Sequence, residues 1–531
     1  MMTFNPYISI IVLKAGVLMK EKEKILFFDT SSLFETEGIR ERCNLPFVAK
    51  ELKKRIPGEN FEVLSVSINE SGRYSKKGNF ADKLIGFVKP ITGLPAYCEV
   101  VIRNKTGKFF ETIYVWSPLK WNDRFAGTAG GGTGTGGLTY FNAPKNTNRG
   151  WSVPHAVING FTAATGDGEN VHYTDDRMVN KETHEINWDL YENWRARTTH
   201  HMTVFGKAVA EILHQRPVRF SYMNGGSGGG RQCIAEAQEF PGDYDGIWAS
   251  CPAINWTKFL PCGLWASAVM NSAGHVLTPE KHRTFIEAAQ NTVGGRDAYF
   301  KYSGMVDFDP HELVGRDGIT QKDADVMQAI WDGPKRTSGE RLWYWFRKGA
   351  TPWQVAIPVG AFYYSAFSHK PKPFLLATMY ARWIVQDNKA KFDDITISEL
   401  EKLYDKSEEL FSSGSIDDPD LRPFAECGGK LIVDHGLDDP LIPVDGSIEY
   451  YNRVCACCGG NEKVKSFFRL YINPGDGHGS CDWNGPGITE TDGMAALMNW
   501  VEHGIAPEKI RTVRIDKKSG ETLCESETSP Y

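Results

Sequence analysis

The sequence predicts an α/β fold built on a parallel sheet and interrupted by a long, mostly helical insertion. Three observations predict it. Strand-like and helix-like runs alternate between residues 160 and 253, the pattern of parallel βαβ units. From about 257 to 425 the texture changes to helix-forming stretches joined by loops carrying proline, glycine and charge. After that the alternation resumes, with one buried strand in "GGKLIVDHG" and another in "VKSFFRLYI". The chain thus divides into a first core portion over 1–256 with a β-rich N-terminal segment, an inserted domain over 257–425, and a second core portion over 426–531.

Residues 20–120 alternate short polar and apolar runs, as in "FEVLSVSI" and "AYCEVVIRN", and read as strands. A glycine-rich stretch, "WNDRFAGTAGGGTGTGGLTY", follows at 121–140. "GFTAATGDG" (160–168) reads as a short buried strand closed by glycine. "TTHHMTVFGKAVAEILHQRP" (198–217) has apolar residues at helical spacing and stops at Pro217. "VRFSYMN" is then a strand, "RQCIAEAQEF" a helix and "YDGIWASCPA" a strand with a proline stop. "TQKDADVMQAIWDG" and "ISELEKLYDKSEELF" typify the insertion. "TDGMAALMNWVEHG" is a terminal helix ended by Gly504 and Pro507, and the polar tail after about 515 is expected to fray.

The 531 residues suffice for more than one domain and a sizeable core. With 60 basic and 66 acidic residues the net charge is −6, and both signs are scattered, so no basic stripe for nucleic acid is present. No segment approaches the roughly 20 uncharged apolar residues of a bilayer span. The opening "MMTFNPYISIIVLKAGVLM" has no basic stretch before its apolar run, is interrupted by Lys14 and precedes no A-x-A site. It is therefore not read as a cleaved signal, and Met19 is an alternative start. The 15 Trp and 20 Tyr either fill a core or line a pocket for a flat apolar ligand. Among eleven cysteines, Cys455, Cys457 and Cys458 in "VCACCGG" invite a zinc reading. A second ligand pair at finger spacing is missing, so a surface loop with free thiols in a reducing compartment is the reading taken.

The segment "RFSYMNGGSGGGRQCIAEAQEF" (219–240) carries the chemistry. A strand, then Gly225-Gly226-Ser227-Gly228-Gly229, then a helix fits the G-x-S-x-G nucleophile elbow of an α/β-hydrolase core. Small neighbours let the strained turn pass close to adjacent backbone, and the helix N-terminus favours developing negative charge. A flexible linker would not sit between an apolar strand and an amphipathic helix. A P-loop would need G-K-[S/T], and a G-x-G-x-x-G dinucleotide loop fits the glycines only loosely.

An elbow serine needs an acid and then a base further along the chain. "LIVDHGLDDPLIP" offers Asp434, Asp438 and Asp439 after one strand, and "FFRLYINPGDGHGSCDW" offers His478 after the next. Asp439 is preferred because Asp434 lies within the strand end and Asp438 is expected to face solvent. His435 competes as base but precedes the acids, and is read as a structural histidine.

These residues resemble the tannase/feruloyl esterase family of α/β hydrolases. The resemblance runs through "LPAYC", "WNDRF", the glycine-rich loop from Gly130, "MTVFGKAV", "YMNGGSGGGRQ", "EAQEFPGDYDGIWASCPAINW", "GGKLIVDHGLDDPLIP", "GDGH" and "WVEHGIAP" in order. It implies a nucleophile at Ser227, an acid at Asp439, the third residue after His435-Gly436, and a base at His478. It also implies that the insertion is a large lid that selects the acyl group, usually a phenolic acid. Two departures follow. The family's paired cysteines beside the serine and histidine are replaced by Gly226 and Gly479. The lid's calcium-binding run corresponds to "GGRDAYFKYSGMV" (294–306), which keeps Asp297 but few other carboxylates, so calcium binding is not expected. Cys43 and Cys98 stand where the family often has a bridged pair.

The expected chemistry is acyl transfer through an acyl-enzyme, with an oxyanion held by the backbone N–H of Gly228 and of Gly131 or Gly132, and with no organic cofactor. The expected partner is a small aromatic ester, with neither nucleic acid nor membrane involved. A missing signal and a missing bridge beside the triad point to the cytoplasm, with secretion the alternative, in which Cys43 and Cys98 would be joined. The competing readings are an esterase or acyltransferase for non-phenolic esters on the same triad, and a non-catalytic ligand-binding relative.

Overall fold

A computed structural model describes residues 30–75, 90–138, 151–169, 177–350, 363–364, 371–479, 485–516 and 521–531. The question of the start, Met1 or Met19, lies outside the described residues. The main sheet has nine strands: β1 Phe61–Asn69, β2 Tyr97–Thr106, β3 Phe109–Pro118, β4 Arg124–Thr128, β5 Thr162–Asp167, β6 Phe220–Gly226, β7 Gly246–Ser250, β8 Lys430–Gly436 and β9 Phe468–Asn473. Their spatial order is β1-β2-β3-β5-β4-β6-β7-β8-β9.

The sheet is mixed: the strands of the alternating segments pair parallel as expected, and the N-terminal strands, read from the sequence without a direction, add an antiparallel part. β1, β2, β3 and β5 pair antiparallel, and every pair from β5 through β9 is parallel. The difference has a physical origin in connection length. β2 and β3 are joined by a two-residue turn at Gly107, which permits only antiparallel pairing, whereas parallel neighbours need a crossover. β4 and β7 are buried at every position, as expected of central strands covered on both faces. On one face the helices Thr198–His214 and Gly228–Glu239 pack through Met202, Phe205, Val209, Cys233 and Ile234. On the other, the helix Glu490–His503 brings Met494, Leu497 and Trp500 against Tyr222, Trp248 and Ile432.

Between β7 and β8 the chain forms helices Trp256–Cys262, Trp265–Ala273, Pro279–Asn291, Gln321–Trp331, Leu375–Val385 and Ile397–Phe411. They enclose a separate apolar cluster in which Trp256, Trp265, Phe285, Tyr380 and Trp383 are buried. Thr320 and Thr396 start two of these helices with reciprocal capping boxes.

The tail does not fray as expected. Thr522–Thr528 pairs antiparallel with Ile510–Ile515, and the Tyr531 amide donates to Leu470 O at 2.8 Å. Its backbone pairing with a neighbour substitutes for an apolar face, which the exposed side chains of this strand lack. Cys43 and Cys98 form a disulfide. Among the described residues no helix is long and apolar enough to cross a membrane.

Candidate active site

The parallel strands end level with one another. Gly226 pairs with Ser250, Ser250 with Asp434, and Gly436 with Asn473. Ser227 follows β6 by one residue, Cys251 follows β7 by one, Asp439 follows β8 by three, and His478 follows β9 by five. The topology therefore delivers four chemically active side chains to one sheet edge.

Ser227 sits at φ +61°, ψ −123°, a backbone state that non-glycine residues rarely adopt. The turn is fixed by its surroundings. The Ser227 amide donates to Ser250 O at 2.9 Å, and its carbonyl accepts from the amides of Arg231 and Ala253, both at 3.0 Å. The Arg231 guanidinium is buried, lies over the Trp194 ring, and donates to the carbonyls of Trp194 and Arg195. This clamps the first turns of the helix that follows the serine.

Asp439 and His478 are brought together: His478 Nδ1 lies 2.7 Å from Asp439 Oδ2. His435 Nε2 reaches the same oxygen at 3.1 Å, while Oδ1 accepts the amides of Leu441 at 2.8 Å and Ile442 at 3.0 Å. Burial alone would raise the Asp439 carboxyl, but the adjacent His478 and the hydrogen bonds from both imidazoles hold it well below the usual carboxylate range. An ionised carboxylate only accepts, so both imidazole nitrogens that face it carry hydrogen. In a neutral His478 the remaining nitrogen, Nε2, is then the acceptor. No hydrogen bond joins the Ser227 hydroxyl to His478, a bond that commonly tightens only when substrate is bound.

The acid and base loops are stitched together by backbone. Leu437 donates to Asn473 O at 2.9 Å and Asp438 to Asp476 O at 3.0 Å. A Cβ on Gly436 would lie 2.2 Å from Gly477 O, so only glycine permits this approach. Gly479, where the family usually has cysteine, folds back at φ +61° with its amide on Gly477 O at 2.9 Å.

The other acids have separate roles. Asp434 is buried and accepts from Trp248 Nε1 at 2.8 Å and Ser250 Oγ at 3.3 Å; burial raises its carboxyl to about 7 despite these bonds. Asp438 does not face solvent. It is buried, accepts from the Tyr299 hydroxyl and lies 3.8 Å from Arg347, with burial raising its carboxyl to about 6. Tyr299 and Arg347 both come from the helical insertion, so that segment touches the residue next to Asp439.

Of the amides expected to hold an oxyanion, that of Gly131 is engaged by Gly134 O at 3.2 Å, and its neighbour Gly130 donates to Gln232 Oε1 at 3.0 Å. The glycine-rich loop turns back on itself here, which uses the Gly131 donor internally. The Gly132 amide has no partner among the described residues, and a Cβ on Gly228 would lie 2.3 Å from Gly132 O.

One neighbour escaped the sequence reading, and another was singled out there only as a structural histidine. Cys251 Sγ lies within 4.8 Å of donor atoms of Asp439 and His478; its signal was its place one residue beyond a parallel strand. His435, read as structural, bonds the catalytic-type acid directly, and its spacing of four residues from Asp439 across a strand end gave the clue. Away from the site, Cys457 and Cys458 gather with Asp420, whose carboxylate is already paired with Arg422 at 2.5 Å.

Residues 98–530 match the family model for tannase and feruloyl esterase. The chain belongs to the tannase and feruloyl esterase family. A probable feruloyl esterase of Arthroderma benhamiae is 33% identical over 438 residues, covering 77% of each chain. The probable feruloyl esterase B-2 of Aspergillus terreus is 25% identical over 447 residues, covering 80% of each. Among solved structures, feruloyl esterase B from Aspergillus oryzae matches with a TM-score of 0.73 at 20% identity, over 93% of this chain and 96% of that one. Tannin acyl hydrolase from Aspergillus niger matches with a TM-score of 0.70 at 19% identity, over 92% and 93%. The fold is that of an α/β hydrolase, and the protein is a carboxylic ester hydrolase.

Proposed function

We propose that this family member hydrolyses esters of aromatic, phenolic acids through a Ser227–His478–Asp439 triad and an acyl-enzyme. The observation that carries the reading is the 2.7 Å bond between His478 and a buried Asp439 at the sheet edge where the strained Ser227 turn also ends. His478 Nε2 takes the hydroxyl proton as Ser227 Oγ attacks the ester carbonyl. Asp439 holds the imidazole orientation and stabilises its charged form. The tetrahedral oxyanion is held by the amides of Gly132 and Gly228, since that of Gly131 is engaged. His478 returns the proton to the departing alcohol, and water repeats the sequence on the acyl-enzyme to release the acid. No organic cofactor enters these steps.

The helical insertion over 257–425 serves as a lid and supplies the acyl-side wall. Trp331, Trp345, Phe346 and Arg347 line a small cavity that reaches Pro440, the residue after Asp439. At about 20 Å³ the cavity has room for a water-sized guest, so what it marks is an aromatic surface with one cationic group beside the acid loop. The names of the relatives, feruloyl esterases and a tannin acyl hydrolase, agree with the phenolic-ester class.

The test compares wild type and Ser227→Ala on methyl ferulate, methyl gallate and 4-nitrophenyl esters of aliphatic acids, with released acid identified. The reading expects preference for the phenolic esters and loss of turnover in the variant. Undiminished turnover by Ser227→Ala removes the serine from its role, and a preference for aliphatic esters removes the substrate class.

A further inference from the structure

We infer that His435 is a positioning residue for the ester hydrolysis, acting through Asp439 as a second imidazole donor that fixes the carboxylate and tempers its grip on His478. This rests on the triad reading given above.

Asp439 Oδ2 is shared between two rings, His478 Nδ1 at 2.7 Å and His435 Nε2 at 3.1 Å. Oδ1 is occupied by the amides of Leu441 and Ile442. Four donors therefore hold both oxygens, and His435 is the only one of them that comes from a strand of the main sheet. Its ring is fully buried, and its other nitrogen, Nδ1, lies 2.9 Å from the hydroxyl of Ser447 on the helix Asp445–Cys457. With Nε2–H committed to the carboxylate, Nδ1 of a neutral ring accepts from Ser447, so the hydroxyl fixes the tautomer that points a hydrogen at Asp439. The chain Ser447–His435–Asp439–His478 is continuous.

The consequence is electrostatic as well as geometric. A carboxylate that already receives a hydrogen bond on Oδ2 is a weaker acceptor for a second donor on the same atom. His435 therefore moderates how strongly Asp439 favours the protonated form of the base. Among the described residues, the ionisable groups around this chain include Asp434 beside His435, Asp445 at the start of the Ser447 helix with Arg341 near it, Asp438 next to Asp439, and Cys251 near Asp439 and His478. Asp434 and Asp445 both have carboxyls raised by burial. A histidine that only filled space would have no reason to place a ring nitrogen on the acid and a tautomer-setting hydroxyl on the other.

The experiment measures the pH dependence of kcat/KM for His435→Phe, His435→Gln and Ser447→Ala, with Ser227→Ala in parallel and thermal melts on each. In His435→Phe the ring volume stays and the donor goes. The expected result is a kcat about 10- to 100-fold lower and an acidic limb moved upward by about half to one pH unit. His435→Gln, whose amide nitrogen can reach Asp439, restores the limb to the wild-type position. Ser447→Ala moves it in the same direction as His435→Phe by less, and serves if that variant does not fold. An acidic limb that stays in place or moves down in both His435→Phe and Ser447→Ala overturns the inference. If Ser227→Ala is inactive and the limbs do not move, only this inference fails; if Ser227→Ala retains turnover, the triad reading fails with it.

Discussion

Gly229→Ala is a severe test of how the site is assembled. Gly229 lies in the first turn after Ser227, and its helical backbone accepts alanine without conformational cost. Space is the obstacle. A Cβ there would lie 2.5 Å from Gly130 O and 3.1 Å from Ala129 Cβ. The carbonyl is backbone, so it cannot rotate away, and it falls about 0.9 Å short of the 3.4 Å at which ordinary contact begins. The loop must retreat by that amount, stretching the Gly130 bond to Gln232 on the helix, and it moves as a unit because Gly131 and Gly134 exchange two backbone hydrogen bonds. Gly132, two residues on, is carried with it. Oxyanion donors work within a window of about 2.7–3.1 Å, and losing one costs about 2.7–4 kcal/mol, or roughly 100- to 1,000-fold in kcat. Alanine in a helix is favoured over glycine by about 0.5–1 kcal/mol, so the fold itself should survive. Steady-state kinetics on methyl ferulate, with a thermal melt as control, should show kcat down about 100-fold or more and KM within a few-fold. A folded variant with kcat within about three-fold of wild type would refute the argument that this loop holds the oxyanion.

Three further outcomes follow from the same geometry. Asp434, with its carboxyl raised to about 7 against about 3.9 unfolded, binds a proton more tightly when folded, so its contribution to stability is lost as pH rises from about 4 to about 7. Asp434→Asn should remove a slope on the order of 4 kcal/mol over that window in denaturant melts, leaving those due to the other carboxyls raised by burial, Asp438 and Glu236 among them. Tyr299→Phe strips the hydroxyl donor from buried Asp438 and should destabilise by about 1–3 kcal/mol. It should also lower kcat, because Asp438 links the acid and base loops; a melt and kinetics check both. Cys43→Ser with Cys98→Ser opens a bridge spanning 55 residues, which the chain-entropy relation values at about 4 kcal/mol, and should lower the melting temperature while leaving kcat at 25 °C unchanged.

Much of this was legible in the sequence because the signals are local. Ser227 is announced by five contiguous residues, and β6, β7, β8 and β9 by apolar runs whose ends are marked by glycine, serine or asparagine. Chain order and position after strands offered His478 and the acids Asp434, Asp438 and Asp439, and the family resemblance singled out Asp439. What was hidden depends on pairing at a distance. The strand Thr522–Thr528 is mostly exposed, so no apolar face betrays it. Asp438 looked solvent-facing because its partner Tyr299 lies 139 residues away in another unit of the chain. Gly131 looked like a donor because glycine composition shows that a loop can approach closely but not which amide its own turn uses. His435 was read as structural because its position beside an acid was visible, while the hydroxyl of Ser447 on its other ring nitrogen was not.

The most direct measurement is the site of covalent trapping. The enzyme is incubated with a fluorophosphonate and, separately, acid-quenched during turnover of an aromatic ester, then digested and mapped by mass spectrometry. The account predicts a single adduct, phosphonyl in one case and acyl in the other, on the peptide containing Ser227 and absent in Ser227→Ala. Steady ester hydrolysis with the label on another residue, Cys251 included, would contradict it.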